Sequence, residues 1–243
     1  MPSSQWTRLR SAWLDRRRRY EAVCFDLDGV LLDTMPLHAK AWQRALNQQG
    51  IPVLRREIYL WEGEPGLVTA ARMMHREHRD CSRRDCLRLL RQKEDWFSRL
   101  AQPVRVRPLW IRLLDWLGRH HLRLGLVTGT SQRELRHLVA PAILHRFHVI
   151  VTGDTVRRGK PAPDPYRKAF ARLRTHPQRV IVIENAPYGI RSARRAKAGF
   201  IIGLTSSLSA QHLREADVVR TSPRAVFSMV RRQLNLTGKP ADR

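Results

Sequence analysis

The sequence predicts an α/β protein: a parallel-sheet core into which an all-helical segment is inserted. Three observations carry that expectation. From about Pro108 onward helical and strand patterns alternate, and alternation of that kind builds right-handed β-α-β units. Residues 35–104, by contrast, read as helices and turns alone, lying between the first strand and the rest of the sheet. Finally, the three most apolar strands each run into a polar residue: Phe25 into Asp26, Val127 into Thr128, and Ile183 into Glu184. In an open parallel sheet the carboxyl ends of strands are where ligands bind, so those residues share one edge.

Taken in order, residues 1–19 form a basic N-terminal extension in which Trp6, Leu9, Trp13 and Leu14 have helical spacing. It is expected to pack on the body or fray, with no chemistry assigned. Residues 21–25 read as a buried strand, Asp26-Leu27-Asp28-Gly29 as an acidic turn, and Asp33-Thr34 as the break after an apolar stretch. Helical patterns are expected over 37–45, 67–78 and 86–100, separated by Gly50-Ile51-Pro52, by Gly63-Glu64-Pro65-Gly66 and by residues 80–84. Residues 20–34 and 105–235 then make the α/β core, and 35–104 a cap placed to cover the strand ends and exclude water. Within the core the spacing predicts helices over 109–117, 132–139, 165–173 and 188–198. Strands are expected over 121–127, 149–151, 180–183, 200–204 and 217–219. Helices on both faces of such a sheet give a three-layer, Rossmann-like core.

Composition limits the function classes. A hydrophobic fraction of 42% with seven Trp belongs to a folded globular chain, and no apolar run reaches the roughly 20 residues of a membrane span. The amino terminus lacks the apolar stretch of a signal peptide, and three unframed cysteines, Cys24, Cys81 and Cys86, suit a reducing compartment; a cytoplasmic protein is expected. His75, His78, Cys81 and Cys86 cluster in sequence, but without the tight Cys spacing of structural zinc sites. The net charge is +25, and only six of the 46 basic residues are lysine. Arginine is spread along the whole chain instead of gathering on one element with interleaved aromatics, which argues against a nucleic-acid interface while leaving polyanion binding open. A positive field would also draw anionic esters toward a site.

The chemistry starts at Asp26 and Asp28. Two carboxylates at the end of a buried strand repel each other unless a cation lies between them, so the turn is read as a Mg²⁺ site. The run Val127-Thr128-Gly129-Thr130 offers a hydroxyl, a glycine that lets backbone approach a ligand, and N–H groups at a helix start, a candidate phosphate cradle. Lys160 is delivered by the proline-stiffened GKPAPDPY loop as a compact point charge. Glu184 and Asn185 close a further strand and add oxygen ligands for the cation beside Asp26 and the Asp28 backbone carbonyl.

Together these pieces resemble the haloacid dehalogenase-like (HAD) superfamily. DLDGVLLDT, VTGTS, GKPAPDPY and ENAPYGI match its motifs in order and approximate spacing, and DLDGVLLDT looks most like the branch of β-phosphoglucomutase-like and phosphoglycolate-phosphatase-like enzymes. The resemblance implies that His38, in DTMPLHAKAW, lies near the active-site entrance and contributes with Gly129 and Thr130 to substrate binding. It also implies that Asp28 marks phosphate chemistry, since the superfamily's dehalogenases lack a second aspartate. One departure stands out: the branch commonly has Glu-Asp where this chain has Glu184-Asn185, which removes a charge from the cation site.

The expected activity is a Mg²⁺-dependent phosphatase acting on a small phosphorylated metabolite, a sugar phosphate or phosphoglycolate. Asp26 would attack phosphorus and form an aspartyl-phosphate, Asp28 would act as general acid and base, and Thr128 and Lys160 would hold the phosphoryl oxygens. The alternatives are a phosphomutase built on the same core and a catalytically silent polyanion-binding protein.

Overall fold

The computed structural model describes residues 19–76, 81–101 and 105–235 of the chain. The helical pattern of Trp6 to Leu14, most of the basic run at 16–19, and His78 lie outside the described residues. Six strands form one parallel sheet: β1 (Ala22–Phe25), β2 (Arg123–Val127), β3 (Val149–Val151), β4 (Val180–Glu184), β5 (Phe200–Leu204) and β6 (Val218–Arg220), in the order β3-β2-β1-β4-β5-β6. The strand order reverses between β1 and β4. That switch point is where the two halves of the sheet splay and leave a crevice at the strand tips.

Strand β1 illustrates why the central strands are apolar throughout. Side chains alternate between faces, and both faces are covered. Val23 and Phe25 join a core with Leu113 and Leu117 of α5 (Pro108–Arg119) and Val226 and Val230 of α10 (Pro223–Gln233). Ala22 and Cys24 join Tyr166 and Phe170 of α8 (Asp164–Arg172) and Ile190 of α9 (Pro187–Arg195). Phe25 meets Trp110 and Phe147 edge-on, each at 6.2 Å between ring centres. Contacts of this kind add about 0.5–1.5 kcal/mol each beyond burial, and they fix the residue immediately before Asp26.

The segment after β1 is helical, with α1 (Met35–Asn47), α2 (Arg55–Leu60), α3 (Gly66–Arg76) and α4 (Arg83–Leu100). These helices share a separate apolar cluster that includes Trp42, Leu46, Ile58, Met73 and Leu89. Sequence periodicity missed α2, which is a six-residue helix held by the Glu57 carboxylate accepting from the Leu54 N–H at 2.8 Å. Helix α4 starts earlier than apolar spacing suggests, because Ser82 and Asp85 cap each other's backbone N–H groups. Strand β2 starts at Arg123, not at residue 121, since His121 adopts a left-handed conformation (φ 57) that turns the chain out of α5. Asp217 stands before β6 and accepts from the Ile201 N–H at 2.7 Å. The remaining helices are α6 (Gln132–Leu138) and the single turn α7 (Pro141–Leu144).

Cys81 Sγ lies 3.5 Å from Cys86 Sγ and 3.9 Å from His75 Nε2, yet among the described residues no three His, Cys, Asp or Glu side chains form a group that could hold a metal. Among the described residues, no helix is long and apolar enough to cross a membrane.

Candidate active site

The backbone delivers Asp26 and Asp28 to the switch point. The Asp26 N–H donates to the Ile183 carbonyl at 3.0 Å, prolonging the β1–β4 ladder by one residue. The next turn closes as the N–H groups of Leu31 and Leu32 both donate to the Leu27 carbonyl at 3.0 Å. Gly29 sits in that turn at φ +85, and a β-carbon there would lie 2.1 Å from Asn185 Nδ2. Only glycine satisfies both conditions, so the motif's glycine makes room for Asn185 as well as making the turn.

Lys160 is the electrostatic centre of the site. Its ammonium, with the side chain only 2% exposed, donates to Asp26 Oδ1 and Glu184 Oε1 at 2.6 Å each and to the Val127 carbonyl at 3.2 Å. Burial alone would depress its affinity for a proton, but the charges and hydrogen bonds of Asp26 and Glu184 outweigh burial and raise it, so it stays a cation. Glu184 is fully engaged: Tyr166 Oη donates to Oε1 at 2.6 Å, and the Asn185 N–H donates to Oε2 at 3.1 Å. Tyr166 is a site residue that sequence reading missed; its position in GKPAPDPY was the available signal.

The two aspartates have opposite environments. Asp28 is surrounded by donors: Thr34 Oγ1 at 2.5 Å and His38 Nε2 at 3.1 Å meet Oδ1, while Thr130 Oγ1 at 2.7 Å and Thr128 Oγ1 at 3.3 Å meet Oδ2. Burial would raise its pKa, but the charge and hydrogen bond of His38, with the hydroxyls of Thr34 and Thr130, hold the carboxyl well below the usual range. Asp26 is pushed up to about 8, first by burial and then by the charges of Glu184 and Asp28, with Lys160 opposing. Among the described residues its Oδ2 has no hydrogen-bond partner, and neither Oδ1 nor Nδ2 of Asn185 has one.

That unsatisfied trio bears on the expected cation. Three buried carboxylates, Asp26, Asp28 and Glu184, face one lysine, and orphaned carboxylate and amide oxygens at the same point are hard donors suited to Mg²⁺. Glu184, by contrast, spends its oxygens on Lys160, Tyr166 and its neighbour's N–H. Within the expected phosphate cradle the Thr130 N–H donates to Thr128 Oγ1 at 3.0 Å, and both hydroxyls donate to Asp28 Oδ2. Asp154 accepts from the Gln132 N–H at 3.2 Å, capping α6.

Beside these residues lies a cavity of about 270 Å³ between the helical segment and the sheet edge. His38 and Thr130 line it from the Asp28 side; Trp42, Glu62 and Lys93 line it from the helices, and Gly129 and Glu134 from the core. The turn carrying Glu62 docks closely, for a β-carbon on Gly63 would lie 2.5 Å from Lys160 Cδ. His38 stacks on Phe97 of α4 at 4.0 Å, tying the segment to the carboxylate it contacts. Lys93, a buried cation on α4, and Glu62 were not singled out from sequence because each sits in an ordinary-looking charged stretch.

Residues 23–202 match the family model of the haloacid dehalogenase-like hydrolases. A phosphorylated carbohydrates phosphatase of Thermotoga maritima is 34% identical over 196 residues, spanning 78% of this chain and 87% of that one. A fructose-1-phosphate phosphatase of Escherichia coli is 32% identical over 180 residues, 73% of this chain and 93% of that one. Among solved structures, a protein of Bacteroides vulgatus proposed to be a β-phosphoglucomutase superposes with a TM-score of 0.79 at 28% identity, covering 90% of this chain and 91% of that one.

Proposed function

The chain belongs to the haloacid dehalogenase-like hydrolases, and on that premise we propose that it is a Mg²⁺-dependent phosphatase of small phosphate monoesters working through an aspartyl-phosphate. The observation that carries this reading is Asp26 Oδ2, buried beside Lys160 and the orphaned Asn185 side chain: a nucleophilic oxygen with no hydrogen-bond partner among the described residues. Asp26 Oδ2 attacks phosphorus in line, and the leaving alkoxide departs toward the cavity. Asp28 Oδ1 receives a proton from His38 Nε2, 3.1 Å away, and passes it to the leaving oxygen; it then withdraws a proton from the water that cleaves the acyl phosphate and returns it to His38. Lys160 holds Asp26 in place and faces the phosphoryl oxygens with positive charge. Asp26, the Asp28 backbone carbonyl and Asn185 would hold Mg²⁺, which supplies charge neutralisation to the phosphoryl group and to Asp26 itself. Residues 35–104 act as the cap that closes the cavity over the ester.

Phosphate release from a panel of small esters, with and without Mg²⁺ and with Asp26→Asn in parallel, tests the reading. Mg²⁺-dependent release that disappears in the variant is expected; release indifferent to both would overturn it. A phosphomutase is the second reading, favoured by the likeness to the Bacteroides vulgatus protein. Conversion of β-glucose 1-phosphate to glucose 6-phosphate without phosphate release would establish it instead.

The departure at position 185 gives a further expected result. Asn185→Asp adds a charge to the oxygen set, so the Mg²⁺ concentration for half-maximal rate should fall, by about tenfold for a gain near 1.4 kcal/mol. A Mg²⁺ titration curve identical to that of the parent would mean that this side chain does not touch the cation.

A further inference from the structure

The cavity is acid-lined although the chain as a whole carries +25. Glu62, Glu94, Glu134 and Asp154 all face it, against one lysine, Lys93. Lys93 lies 3.9 Å from Glu134 Oε1 and is thereby matched within the wall. Glu64, also on the wall, is neutralised by Arg72 at 2.6 Å. Glu62 is half-buried and, among the described residues, makes no ion pair or hydrogen bond through its carboxyl. Its turn is pinned against Lys160 through Gly63, so it cannot easily withdraw. A second anion on a bound ester would meet the wall carboxylates Glu62, Glu94 and Asp154, in an enclosure where screening by salt is weak.

We infer that the cavity selects phosphate monoesters whose leaving group bears hydroxyls and no second anion, with Glu62 as the residue that reads the leaving group. Carboxyl groups accept hydrogen bonds from polyol hydroxyls, and Trp42 and Trp61 on the same wall offer apolar faces for the carbon skeleton. Phosphoglycolate and sugar bisphosphates, each with a further negative group, are disfavoured. Because a mutase of the β-phosphoglucomutase kind must accommodate a second phosphate, the same wall weighs against that activity. The inference rests on the phosphatase reading for the placement of the reacting phosphate at Asp26.

A matched pair of ligands isolates the effect. Sorbitol 6-phosphate and 6-phosphogluconate differ only in a terminal hydroxymethyl against a carboxylate. Their dissociation constants, measured by calorimetry on the full-length Asp26→Asn chain with Mg²⁺ so that neither is consumed, should differ at least tenfold in favour of sorbitol 6-phosphate. Equal affinities, absence of binding by both, or tighter 6-phosphogluconate binding would overturn the inference. Glu62→Lys on the same background should narrow the ratio by at least tenfold, and an unchanged ratio would remove Glu62 from the role. Hydrolysis of p-nitrophenyl phosphate by the parent chain, run alongside, reports on the phosphatase reading separately.

Discussion

Asp26→Asn is expected to lower kcat for phosphate release by at least about 10³-fold, on the scale seen when a covalent nucleophile is removed, while leaving the fold intact. The rate effect follows from chemistry: an amide oxygen cannot form the acyl phosphate, and every later step depends on that bond. The stability expectation follows from the neighbours. Lys160 retains Glu184 Oε1 at 2.6 Å and the Val127 carbonyl at 3.2 Å, and an asparagine carbonyl can still accept the third hydrogen bond. The substitution also removes one of three crowded carboxylates, the one whose Oδ2 has no partner among the described residues. A denaturation midpoint close to that of the parent, together with lost turnover, is the expected pair of results. Retained turnover would take the nucleophile's role from Asp26, and a collapsed midpoint would make the residue structural.

Much of this site was legible in the sequence because its members punctuate strands. Asp26, Thr128 and Glu184 each end an apolar strand, and a parallel sheet brings such ends together whatever lies between them. Lys160 stood out as a lysine in an arginine-rich chain, on a loop stiffened by prolines. What sequence left hidden depends on packing across elements. That Glu184 is consumed by Lys160 and Tyr166 while Asn185 is free follows from the orientation of α8 and of the Gly29 turn, which no local pattern encodes. Likewise Glu62 and Lys93 become wall residues only when the helical segment settles on the sheet edge. Helix α2 escaped notice for a simpler reason: six residues give too few turns for periodicity to register.

Replacing Lys160 with methionine should produce the opposite balance, a loss of stability as well as of rate. Methionine keeps the length and apolar stem but leaves Asp26 Oδ1 and Glu184 Oε1 buried at about 2% exposure or less with no cation between them. Removing one partner of a buried ion pair costs about 3–5 kcal/mol, chiefly because the remaining charge is left uncompensated. Here two carboxylates are left, and Tyr166 Oη and the Asn185 N–H can answer only one of them. Arginine is not expected to rescue the site. Its guanidinium is larger and brings five donors into a pocket where Lys160 is nearly inaccessible and finds three acceptors, so unsatisfied N–H groups would replace unsatisfied carboxylates. Chemical denaturation of the parent, Lys160→Met, Lys160→Arg and Asp26→Asn chains, each assayed for phosphate release, separates the roles. Stable but inactive Lys160 variants would reduce this residue to a phosphate ligand; unstable ones, beside a stable Asp26→Asn, would identify Lys160 as the cation that lets three carboxylates share one strand edge.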